Sequence, residues 1–116
     1  MNIRDLKLLD KILLEIKDIE KSFDIFGAKT LNEFLENSLL QKCIVMSLIN
    51  ISEATGLLSD EFLEINSHIN WKQFRRIRNI AAHKYDAVNF VVVFGIVKND
   101  IEMFKNEIEK IKNASQ

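Results

Sequence analysis

At 116 residues, 47% hydrophobic and 28% charged, the chain has the size and make-up of one domain spanning 1–116, burying roughly two thirds of its unfolded surface. No apolar run approaches the roughly 18 residues that span a bilayer, and the lone Cys43 has no internal partner for a disulfide. No signal-peptide pattern opens the chain, so the reading is a protein of the reducing cytoplasm, with no membrane.

The absence of proline and the presence of only three glycines favour long helices. Asn2 caps a first helix with Leu6, Leu9, Leu13, Ile16, Ile19, Phe23 and Phe26 on a 3.6-residue period, ending at Gly27. "TLNE", from Thr30 to Glu33, is a capping box that starts a short turn through Phe34 and Leu35. Asn37 or Ser38 opens a long segment with Leu40, Ile44, Leu48, Ile51 and Leu58 inward, and Gly56 is read as a bend within it. "SHIN" is a loop, and Asn70 caps a helix beginning at Trp71 and running to about His83. Asn89 caps the last helix, which carries Phe94, Val97, Ile101, Phe104, Ile108 and Ile111. Its opening "FVVVFGIV" has strand propensity. The apolar period continues past it without a turn signal, and a single strand would lack a partner, so it is assigned to helix. The expected fold is all-α: an antiparallel four-helix up-and-down bundle with an additional short helix.

Net charge is −1, which alone argues against nucleic acid, but the charge is unevenly placed. From Ile65 to Tyr85 there is no Asp or Glu, while Lys72, Arg75, Arg76, Arg78 and Lys84 supply five positive charges and leave −6 for the rest of the chain. Such an island suits either a phosphate-binding surface or a solvated basic face.

Within the island, "RIRNIAAHKY" sets Arg78, His83 and Tyr85 among small and apolar residues. On a helix, Asn79 and His83 share a face one turn apart, whereas Arg78 and His83 lie about 140° apart and do not meet. The pair converges only if the helix unwinds near His83, or if a second copy completes the site across a twofold axis. Ala81 and Ala82 lack bulk where a neighbouring helix would approach. Histidine can act as acid or base near neutrality. Arginine offers a permanently charged fork for phosphate oxygens. Together they suit RNA cleavage without a metal. The alternative for His83 is a helix C-terminal cap.

The spacing Arg78, His83, Tyr85 resembles the R-x-x-x-x-H-x-Y motif of the HEPN superfamily, and the chain is similar to the HepT-like toxins of HEPN/minimal-nucleotidyltransferase toxin–antitoxin systems. "ISEATGLLSDEF", "INWKQFRRIRNIAAHKY" and the closing "DAVNFVVVFGIVKNDIEMFKNEIEKI" extend the resemblance over about the whole chain. Asn70 stands where the family commonly has proline before the tryptophan. The resemblance implies a HEPN-like homodimer with both motifs in one cleft, metal-independent endoribonuclease activity on RNA, and a cognate nucleotidyltransferase antitoxin. It assigns Arg78 and His83 as the catalytic pair and Asn79 as a residue that orients the site. Lys72, Arg75, Arg76 and Lys84 become RNA-binding. Tyr85, the only tyrosine, matches the position such antitoxins modify with AMP; otherwise it is a buried aromatic with a bonded hydroxyl.

Three other residues are weighed. Glu53, a polar residue on an apolar segment, either reaches the site and positions Arg78 or faces solvent. His68 has no Asp, Glu, Cys or His at ligand spacing, so no metal and no cofactor is expected. Cys43 reads as a small core residue. The competing function is a non-catalytic helical partner that helps a nucleotidyltransferase bind its substrate.

Overall fold

The computed structural model describes residues 1–74, 79 and 88–114, and every regular element among them is helical. In chain order they are α1 (Ile3–Phe26), α2 (Leu31–Leu35), α3 (Ser38–Gly56), α4 (Asp60–Ile65), α5 (Phe90–Gly95), a π-helical turn (Ile96–Asp100) and α6 (Ile101–Ala114). A further helical stretch starts at Lys72. Among the described residues no helix is long and apolar enough to cross a membrane.

The first helix begins and ends where its local chemistry dictates. The Asn2 side chain accepts the Asp5 N–H at 2.7 Å, satisfying one of the free amides of the first turn. At the other end Gly27 takes a φ of 64°, a conformation that any Cβ would strain. This lets the Gly27 and Ala28 amides turn back onto the Asp24 and Phe23 carbonyls, both at 3.1 Å. The buried face is Leu9, Ile12, Ile16, Ile19 and Phe23. It is rotated from the expected stripe: Ile12 joins it, Leu13 and Phe26 are half-buried, and Leu6 is exposed. Asp5 takes the inward position at the head of the helix. It accepts the Ser59 N–H at 2.9 Å and the Ser59 hydroxyl at 2.6 Å, which compensates the burial of a carboxylate.

α2 opens with the expected capping box, Thr30 accepting the Glu33 N–H and Glu33 accepting the Thr30 N–H, both at 3.2 Å. The backbone donor of Lys29 and the hydroxyl of Thr30 hold the Glu33 carboxyl below its ordinary 4.5. The short helix serves to place Phe34, fully buried against Phe23 and Phe94 with ring centroids 5.7 and 5.6 Å away.

α3 is capped by Asn37 and buries Leu40, Ile44, Leu48 and Ile51 as expected. Gly56 is not a bend within a longer helix. α3 ends there: the Leu57 and Leu58 amides close back onto Ala54 and Thr55 at 3.2 Å, and Ser59 caps a separate helix, α4. Leu58 reaches the core from this turn rather than from a helix.

Contacts spaced along α1 fix the directions. Asp5 meets Ser59 and Glu15 meets the Asn50 amide at 3.1 Å, so α3 runs antiparallel to α1. Glu20 meets Lys105 at 2.9 Å and Asp10 meets Lys112, so α6 runs antiparallel to it as well. The hydrogen bond to Glu20 holds the Lys105 ammonium above its ordinary 10.5.

The segment "FVVVFGIV" is helical, as expected, with Asn89 accepting the Val91 and Val92 amides. Gly95, Ile96 and Ile101 all keep right-handed helical angles, so α5, the π turn and α6 form one continuous rod. The rod buries Val93, Ile96, Val97, Ile101, Phe104 and Ile108, while Phe94 and Ile111 are only half-buried. In the π turn, Lys98 Nζ lies 4.4 Å from the centre of the Phe23 ring. Among the described residues the long elements are therefore α1, α3 and this rod. Among the described residues two short helices, α2 and α4, accompany them where the sequence pointed to one.

Candidate functional site

The helix that opens at Lys72 is anchored by its first residues. Trp71 donates its indole N–H to the Asn66 carbonyl at 3.0 Å, and its backbone N–H to Ile69 at 2.9 Å. Its ring packs on Phe62, Phe74 and Phe104, each 5.8 Å between centroids, and lies nearly parallel to Phe74. Phe74 is itself buried against Phe104. The Gln73 amide closes on the Asn70 carbonyl at 3.2 Å, so Asn70 stands at the cap position. Aromatic pairs of this kind contribute about 0.5–1.5 kcal/mol each beyond their buried area. The cluster ties the new helix to α4 on one side and to α6 on the other.

A groove of about 290 Å³ runs beside this anchor, between the end of α3 and the start of the new helix. Ser52, Thr55 and Gly56 form one wall, Trp71, Lys72 and Phe74 another, with Asp60 at the rim. Lys72 is exposed there. Asn79 is helical and exposed. Glu53 is exposed on α3, and its side chain has no hydrogen-bond or ion-pair partner among the described residues. Arg75, Arg76, Arg78, His83, Lys84 and Tyr85 lie outside the described residues, and so does the convergence of Arg78 with His83.

The remaining candidates are placed away from this groove. His68 is exposed in a turn with Nε2 3.6 Å from a Glu107 carboxylate oxygen. It lines a separate groove of about 570 Å³ that also contains Asp5 and Ser59. Cys43 is half-buried on α3 rather than a core residue, and its thiol is free. The pairing of Asp5 with Ser59 went unseen in the sequence. An acidic residue in a first helical turn reads as a partner for the helix dipole, and no local signal points to a residue 54 positions away.

The model of the family described as "Ribonuclease HepT-like" matches residues 12–111. The chain is 33% identical over 111 residues to "Putative RNase MJ1380" of Methanocaldococcus jannaschii, covering 94% of this chain and 98% of that one. It is 36% identical over 109 residues to "Gamma-glutamylcyclotransferase and putative RNase MJ0434" of the same organism. That match covers 93% of this chain but 48% of the longer relative. It is also 26% identical over 101 residues to "Probable ribonuclease HepT" of Thermococcus cleftensis, covering 84% of this chain and 92% of the relative. No solved structure matches.

Proposed function

Since the chain belongs to the HepT-like ribonuclease family, we propose that it is a metal-independent endoribonuclease, the toxin of a toxin–antitoxin pair, acting on cytoplasmic RNA. The observation that carries the reading is the R-x-x-x-x-H-x-Y set, Arg78, His83 and Tyr85, inside the matched residues 12–111. The anchored start of the preceding helix and the exposed Lys72 beside it support it.

In this reading a neutral His83 takes the proton of a ribose 2′-hydroxyl, whose oxygen attacks the adjacent phosphorus. Arg78 stabilises the dianionic phosphorane with its guanidinium fork. The imidazolium of a second copy's His83 protonates the departing 5′-oxygen, leaving a 2′,3′-cyclic phosphate and a free 5′-hydroxyl. A twofold homodimer is required, because the one motif histidine of each chain supplies one proton-transfer group and Arg78 and His83 do not face each other on one helix. Asn79 orients the site, and Arg75, Arg76 and Lys84 hold the RNA backbone with Lys72. Glu53 acts on Arg78 only if the two meet across the α3 groove. A partner nucleotidyltransferase silences the enzyme by transferring AMP to Tyr85, placing a phosphate where the substrate phosphate binds.

RNA incubated with purified protein and EDTA tests the reading. Cleavage should persist under chelation and leave cyclic phosphate ends. It should vanish in His83→Ala and fall by at least about a hundredfold in Arg78→Lys, which lacks the bidentate fork. Tyr85→Phe should cleave normally and gain no AMP mass when incubated with the nucleotidyltransferase and ATP. Activity that disappears on chelation and returns with a divalent ion would assign the reaction to metal chemistry instead.

A further inference from the structure

α3 has a second face, turned away from its buried side, whose described residues are exposed or half-buried. Opposite its buried side lie Leu39, Lys42, Met46, Ile49, Glu53 and Gly56, spaced alternately three and four residues apart. This is the spacing with which one helix packs along another. Leu39 and Met46 are 58% and 57% exposed, and Ile49 is half-buried. Lys42 and Glu53 are the only charged residues of this 19-residue helix, and neither side chain has a partner among the described residues.

The stripe reads the same from both ends. Its centre falls between Met46 and Ile49, with Lys42 and Glu53 equally far on either side and Leu39 and Gly56 beyond them. A second α3 laid antiparallel about that centre brings each Lys42 to the other copy's Glu53, and Met46 against Ile49. Leu39 then covers Gly56, where even an added Cβ meets nothing within 4 Å in the single chain. We propose that this face is the seam of the homodimer, with α3 antiparallel to α3 across a twofold axis at the helix midpoint. The inference rests on the dimer in the proposed function and adds where it forms. Self-complementary charge selects a second copy over an unrelated protein, which would have no reason to need the symmetry. Gly56 also lines the groove shared with Trp71 and Lys72, so the seam borders the anchored start of the motif helix.

Sedimentation velocity of the full chain over a concentration series tests this, with circular dichroism to confirm folding. Lys42→Glu and Glu53→Lys should each weaken self-association roughly tenfold or more, since each sets like charges together twice across the axis. The double exchange, Lys42→Glu with Glu53→Lys, should return it to within about threefold of the parent. In a Cys43→Ser background, Lys42→Cys combined with Glu53→Cys should crosslink across the seam. Lys42→Cys alone should not, because its two copies stand about 16 Å apart along the axis. Single exchanges that leave the dimer intact would overturn the seam while the dimer stands. If they instead abolish binding of the nucleotidyltransferase, the face belongs to that partner and the proposal falls. A parent that is monomeric at tens of micromolar overturns both seam and dimer, and RNA cleavage by the same samples scores the ribonuclease reading separately.

Discussion

Trp71 concentrates more structural duty than any other described residue near the motif. It carries a hydrogen bond, three ring contacts and the first turn of the helical stretch that opens at Lys72. Trp71→Ala should lower stability by about 3–5 kcal/mol, through lost burial and the void left between α4 and α6. Trp71→Phe keeps most of the packing but removes the donor to the Asn66 carbonyl. That carbonyl retains the Ile69 amide at 3.1 Å, so the cost should be only about 1 kcal/mol. Urea midpoints of the two variants measure the difference, and equal losses would show that the indole hydrogen bond matters more than the ring. At this scale the sequence was informative where a residue type has one common use. Asn2, Thr30, Glu33 and Asn89 were legible as caps because capping is decided within three residues. Asp5 was not, because its role depends on Ser59, which only the folded chain brings near.

Among the elements, the helices were legible from their apolar period and their ends only in part. Gly27 terminates α1 by its own backbone freedom and was recognised. Gly56 has no left-handed φ, and the end of α3 follows from the turn that seats Leu58 in the core, which is a tertiary cause. The π turn is hidden for a related reason: one extra residue is absorbed as a wider turn while the buried positions on both sides keep their alignment. A deletion experiment exposes this. Removing the exposed Asn99 should convert the π turn to ordinary helix and leave Phe104 and Ile108 inward, lowering the melting temperature by only a few degrees. Removing Met103, equally outward but in α6, rotates all that follows by about 100° and should turn Phe104 and Ile108 out of the core. Thermal melts that do not separate the two deletions would mean the turn carries no spare residue.

For the molecule as a whole, bundle class followed from the absence of proline and the scarcity of glycine, together with repeated apolar spacing. The candidate site was proposed from the sequence for a different reason. Arg78, His83 and Tyr85 are residue types with distinct chemistry at a spacing that packing alone does not explain. Lys72 and Asn79 are outward, and the exposed Glu53 could be ranked no further from sequence, since only the fold separates a site wall from a seam.

The antiparallel run of α6 along α1 has a topological corollary. Lys112 reaches Asp10, and Met1 and Ala114 line the same groove. Joining these two points with a short flexible linker should therefore disturb no packed surface. The chain could then be opened at Lys29, between the self-contained stop at Gly27 and the self-contained start at Thr30. Such a circular permutant should fold to the same helical content and melt within several degrees of the parent, as circular dichroism would measure. It would place α1 after α6 in chain order, while each neighbour it packs against stays the same.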